Sequence, residues 1–135
     1  MILTFIDAGV LIAAARGPDP AVMRRATAIL ADPNRVFASS PFLQLEVLPK
    51  PVYFKRQKEV AFYQTYFQAV TKWATCDEAF IHLALTTAQN VGMGALDALH
   101  IAAALEVGAQ EFVTTERSTK PIHRATGVTV VSIHP

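Results

Sequence analysis

Short runs rich in β-branched and aromatic residues recur along this chain, each followed by a helix-forming segment, and no tight turn such as Asn-Gly joins one run to the next. Strands separated by helices pair in parallel through right-handed crossovers, so the pattern predicts an open parallel sheet rather than hairpins. The runs cover residues 2–6, 36–39, 111–115 and 128–133, with a brief extended stretch near residues 73–76. The first is apolar on both faces, as a central parallel strand is.

Helix signals fill the gaps. A short helix is expected over residues 10–15, closed by Gly17 and Pro18. Asp19 and Pro20 supply a cap and first turn for a helix with Val22, Ala26, Ile29 and Leu30 on one face. Ser40 and Pro41 do the same for a helix through residues 43–48, which Pro49 and Pro51 are expected to end. Residues 54–74 and 77–91 read as two helices that could pair as a hairpin, residues 95–107 as an Ala-rich helix stopped at Gly108, and residues 118–125 as a short helical segment. With no composition break, the 135 residues are expected to form one domain, 1–135. A chain 52% hydrophobic and 17% charged is not disordered, and a net charge of +1 argues against nucleic-acid binding by bulk charge. The lone Cys76 leaves no disulfide and no cysteine metal cluster, which points to a reducing cytoplasm. No apolar run approaches the ~20 residues of a membrane span, and no basic stretch precedes the first apolar run, so neither membrane nor leader is expected.

Sites in parallel sheets collect at the carboxyl ends of the strands. Asp7 stands just past the first strand, Glu46 in the helix after the second, and Glu116 just after the third. Asp97 interrupts the apolar helix leading into that third strand. Four acids from four separate stretches are therefore expected at one rim, with no cation set against them in sequence. Two like charges ~4 Å apart repel by roughly 4 kcal/mol at an effective dielectric near 20, so something positive must compensate. Oxygen donors without a cysteine or histidine pair favour a hard cation, Mg²⁺ or Mn²⁺, over zinc. The chemistry suggested is metal-assisted hydrolysis of a phosphodiester. Plainer roles compete at each position: Asp7 as a helix cap, Glu46 as a solvated helix acid, Glu116 as a helix-start acid. His100, one turn after Asp97, is expected to pack or to support a ligand, and His82, His123 and His134 to be structural. Glu106 and Glu111 are expected to be solvated. A phosphoaspartate hydrolase using Asp7 as nucleophile would need a second acid two residues on, where Gly9 stands.

The segments "LTFIDAGVLIAAA", "SSPFLQLEV", "GALDALHIAAALEVGA" and "EFVTTERS", in that order, resemble the four motif blocks of PIN-domain ribonucleases, the group that includes VapC-type toxins of toxin/antitoxin pairs. The resemblance covers nearly the whole chain, and its most specific part is "DALHIAAAL" followed by "FVTTE". It implies a three-layer α/β/α sandwich around a central parallel sheet of four to five strands, a divalent-metal site, endonucleolytic cleavage of RNA, and an antitoxin partner. Asp7, Glu46 and Asp97 match the family's three most regular acids. The chain departs at Glu116, where the family usually has Asp, and at Ala8 and Gly9, where it often has a hydroxyl or amide side chain. Ser39, Ser40, Thr114 and Thr115 are the residues that could support the ligands instead. The alternative is a PIN-like module, catalytically decayed, that binds RNA or protein.

Lys50, Lys55, Arg56 and Lys58 interleave with Tyr53 and Phe54, and Arg16 and Arg117 lie near strand-end loops. Such basic side chains meet phosphates while aromatics stack on unpaired bases. The competing reading is a solvated helix start with both aromatics buried. The run Phe62, Tyr63, Tyr66, Phe67 and Trp73 is first of all core, and its excess would suit a homodimer or an antitoxin helix.

Overall fold

The computed structural model describes residues 1–135 and contains five strands: β1 Ile2–Ile6, β2 Arg35–Ser39, β3 Lys72–Trp73, β4 Glu111–Thr114 and β5 Thr129–Ser132. All neighbours pair in parallel in the order β3-β2-β1-β4-β5, with Phe5 opposite Ala38 on one side and Phe112 on the other. Seven helices connect them: α1 Ala8–Arg16, α2 Pro20–Leu30, α3 Pro41–Val47, α4 Pro49–Tyr53, α5 Gln57–Ala69, α6 Glu78–Val91 and α7 Ala95–Glu106. A 3₁₀ turn, Pro121–Arg124, precedes β5.

Strand alternation divides the interior into two cores. Phe5 and Phe112 stack at 5.6 Å on one face, under α6 and α7. On the other, Ile6, Phe37 and Val113 meet α1 and the aromatics Tyr63, Tyr66 and Phe67 of α5. Ala98, Ala102, Ala103 and Ala104 are all buried, so α7 lies close on its sheet face. The result is a three-layer α/β/α sandwich, as the motif blocks implied.

One local expectation holds and two fail. The helix from Pro41 ends at Val47, before Pro49, as expected; the chain then turns at Leu48 and starts α4, whose first turn has no need of the amides that proline lacks. Residues 57–69 and 78–91 do not form a hairpin, because β3 hydrogen-bonds to the edge of β2 between them and carries the chain across the sheet, so that α6 pairs with α7. Glu106 is exposed, as expected, but Glu111 is not free in solvent. Glu106 accepts from the Thr75 amide at 3.0 Å, and Glu111 binds Arg35 at 2.8 Å.

Strand order positions the site. From β1 the chain winds outward to β2 and β3, whereas β4 and β5 lie on its other side, so the crossovers diverge at the carboxyl ends of β1 and β4. A crevice opens at such a switch point. At the opposite, amino end, Arg35 binds Asp32, Glu111 and the Thr4 hydroxyl. No helix is long and apolar enough to cross a membrane.

Candidate active site

Asp7 leaves β1 at that crevice and caps α1, accepting from the Val10 amide at 3.2 Å through Oδ1. Its Oδ2 accepts from the Thr114 hydroxyl at 2.5 Å, across from the end of β4. Capping and a site role therefore coincide in one carboxylate. Asp7 is only 7% exposed, and burial pushes its pKa up to about 6; the Thr114 and Val10 bonds and His100 pull it down, and Asp97 pushes it further up.

Beyond β4 the chain is pinned around Glu116. The Glu116 amide donates to Thr114 Oγ1 at 3.1 Å, and its carbonyl accepts from Ser132 Oγ at 2.6 Å and His123 Nε2 at 2.9 Å. Thr114 thus links Asp7 to the backbone of the fourth acid. Thr115 does something sequence reading had left open. A Cβ at position 9 would lie 2.3 Å from Thr115 Oγ1 and 3.4 Å from Asp7 Oδ1. Glycine at position 9 therefore makes room for the Thr115 hydroxyl beside the Asp7 carboxylate.

From α7, half-buried Asp97 faces the same crevice. Burial raises its pKa, Glu116 and Glu46 raise it further, and His100 opposes them. His100, one turn along and 2% exposed, places Nε2 2.7 Å from Glu46 Oε1 and so ties α7 to α3. It is the residue whose importance was hardest to weigh from sequence: the spacing from Asp97 put it on the same helix face, but nothing local named Glu46 as its partner. Ser40 is used as the cap of α3, donating nothing to the acids. The Ser39 hydroxyl is buried at the end of β2 without a hydrogen-bond partner.

Asp7, Asp97, Glu116 and Glu46 have no lysine or arginine within ion-pairing distance; His100 is the one basic side chain bonded to any of their carboxylates. These are hard oxygen donors, and the charge of Asp97 is disfavoured by Glu116 and Glu46 and that of Asp7 by Asp97, which suits a hard divalent cation. No group of three His, Cys, Asp or Glu side chains stands close enough to hold an ion as the side chains are now turned.

The basic residues separate into distinct places. Arg16, Lys50 and Arg56 line a cleft of about 160 Å³ together with Glu46, Glu59 and Tyr63. Lys55 lines an adjoining hollow, while Lys58 borders an apolar groove of about 570 Å³ between α2 and α5 with Leu30 and Phe62. Arg117 is exposed next to Glu116. Tyr53 and Phe54 are 79% and 58% exposed, so the reading that buried them is wrong.

Fold and site together define a three-layer α/β/α domain with a parallel sheet and electrostatically coupled acids at its switch point. Among solved structures, the chain is similar to a chain of VapBC2 from Rickettsia felis bound to a DNA fragment from their promoter, with a TM-score of 0.69 and 12% identity over 97% of this chain and 98% of that one. It is similar also to DNA-bound VapBC from Salmonella typhimurium, with a TM-score of 0.65 and 15% identity over 98% and 99% of the two chains. VapBC-1 from nontypeable Haemophilus influenzae gives a TM-score of 0.64 and 16% identity over 98% of each. No family model and no curated protein matches the chain.

Proposed function

We propose that this protein is a divalent-metal-dependent endoribonuclease of the PIN-domain kind and the toxin of a toxin/antitoxin pair. The observation that supports this reading is that Asp97 is coupled electrostatically to Asp7, Glu46 and Glu116, acids from three other segments, and that none of the four has a lysine or arginine partner. Asp7 and Asp97, with Glu46 and Glu116 beside them, would hold Mg²⁺ or Mn²⁺. When bound, the ion supplies an acidified water and shields the charge that develops on phosphorus. The chain's own groups do the positioning. Thr114 orients the Asp7 carboxylate and steadies Glu116, and His100 aims Glu46 at the crevice. The Thr115 hydroxyl stands beside Gly9, next to the Asp7 carboxylate. Likeness in fold to VapBC chains supports an antitoxin as partner, and Phe62 and Trp73, the two rings of the aromatic run left partly exposed, support a homodimer.

The test is cleavage of an RNA by the purified protein with and without chelator. Cleavage that requires Mg²⁺ or Mn²⁺ and disappears in Asp7→Asn is expected; metal-independent cleavage, or an active Asp7→Asn variant, refutes the scheme. One observation favours a second reading, a decayed module that binds without cutting: no three acids are preassembled around an ion. Calorimetric titration with Mn²⁺ separates the two, since the decayed module shows no heat of binding at millimolar metal.

A further inference from the structure

Folding gives no reason to leave Tyr53 and Phe54 in water. Two adjacent rings at 79% and 58% exposure forgo the burial that normally draws aromatics inside, and exposed apolar surface of this kind marks an interaction site. Their backbone is held, not frayed. Phe54 N donates to the Lys50 carbonyl at 2.9 Å, Lys55 N to Val52 at 3.2 Å and Arg56 N to Pro51 at 2.9 Å, and Lys55 takes the left-handed conformation, φ 56°, that turns the chain into α5. The two rings meet edge to face at 5.0 Å and 88°, so each supports the other's orientation.

Arg56 connects this pair to the acids. Its guanidinium lies over the Phe54 ring, 5.3 Å from the centroid, and the same side chain lines the cleft that holds Arg16, Lys50 and Glu46. The second carboxylate there, Glu59, is already engaged by Arg16 at 3.6 Å and by the Tyr63 hydroxyl at 2.7 Å. Lys50 and Arg56 are left with no anionic partner. Cations free to meet phosphates, leading from an exposed ring to an acid cluster, match the chemistry of an unpaired nucleic-acid strand.

We propose that Tyr53 and Phe54 form a nucleobase-stacking platform that selects single-stranded RNA, with Lys50 and Arg56 following its phosphates toward Glu46. The inference rests on the nuclease reading for where that strand leads. An RNA duplex keeps its bases stacked on one another and offers no free face to Tyr53, so the substrate class is the unpaired strand.

Binding tests this without cleavage. Fluorescein-labelled oligouridylate of ten nucleotides and a blunt RNA duplex of the same length are titrated with the full chain in EDTA and followed by anisotropy. Tyr53→Ala is expected to weaken the oligouridylate complex roughly tenfold, and Tyr53→Phe to preserve it. Arg56→Gln should weaken it and lower the slope of log affinity against log salt by about 0.7, the share of one phosphate contact on a single strand. Duplex affinity should ignore Tyr53. The proposal is overturned if wild type does not bind the single strand, or if Tyr53→Ala binds it like wild type. It is also overturned if Tyr53→Ala changes only the molar mass in light scattering, which would assign the platform, with nearby exposed Val52, to a protein interface. A chain that binds through Tyr53 but never cuts keeps this inference and refutes the nuclease; a nuclease indifferent to Tyr53 does the reverse.

Discussion

Replacing Asp7 by Asn should abolish cleavage and, at the same time, make the metal-free protein more stable. Burial raises the Asp7 pKa from 3.8 to about 6, so ionising it at neutral pH costs the folded state what it does not cost the unfolded one. At about 1.4 kcal/mol for each pKa unit, that displacement amounts to about 3 kcal/mol at pH 7. The amide carries no charge, ranks among the best helix caps, and still accepts from the Val10 amide. Thr114 Oγ1 has a lone pair left to accept from the new NH₂. The sign follows from the raised value: between pH 3.8 and about 6 the native state binds more protons than the unfolded state, so wild-type stability falls as pH rises through that window. Above it the full cost persists, and below it both states are protonated and the cost vanishes. Urea unfolding in EDTA should show Asp7→Asn ahead by about 3 kcal/mol at pH 7, or about 10 °C in Tm for a chain of this size, with the gap closing near pH 4. Mg²⁺ should then stabilise wild type and leave the variant unmoved. An Asn variant no more stable at pH 7, or a gap independent of pH, would show that Asp7 is not held as a disfavoured anion.

Two further perturbations probe the groups around it. Gly9→Ala should destabilise the protein by about 1–3 kcal/mol through its clash with Thr115 Oγ1 and should be close to neutral in a Thr115→Ala background, a coupling read from thermal melts of the four-protein cycle. Equal costs in both backgrounds would separate the two residues. His100→Ala should lower Mn²⁺ affinity by about 10–100-fold in calorimetry, because Glu46 loses the group that orients it; undiminished affinity would reduce His100 to packing.

What could be read from sequence was local. Ile2–Ile6 is apolar on both faces wherever it lies, and Asp19-Pro20 and Ser40-Pro41 cap their helices within a turn, so strands, caps and the position of Asp7 at a strand end were all legible. β3 was legible only as a brief extended stretch near residues 73–76, since two exposed residues held by edge pairing with β2 leave no periodicity, and without that pairing α5 and α6 read as a hairpin. Pro49 was legible as the end of α3, but not as the start of α4: proline breaks a helix interior and also suits a helix start, and the turn at Leu48 lets it do both. The contacts that shape the site lie further out of reach. Glu46 and His100 are 54 positions apart, and Asp7 and Thr114 are 107 apart.

Charge placement connects the fold to its proposed chemistry. Arg35, the best-shielded cation, is committed at the amino end of the sheet to Asp32, Glu111 and Thr4, where it ties β1, β2 and β4 together. The carboxyl end receives none, although Arg16 and Arg117 stand close enough in sequence to have been recruited; Arg16 turns to Glu59 and Arg117 to solvent. A fold selected only for stability would have neutralised Asp7 and Asp97, whose raised pKa values record an unrelieved cost. Keeping cations one step away, in the cleft with Lys50 and Arg56, leaves the acids free for an ion while still drawing in a polyanion. Moving one of those cations into the crevice, as Thr115→Lys would, should therefore stabilise the metal-free protein and suppress Mn²⁺ binding together; a variant that gained stability and still bound Mn²⁺ with wild-type affinity would show that the uncompensated acids are not there to receive a metal.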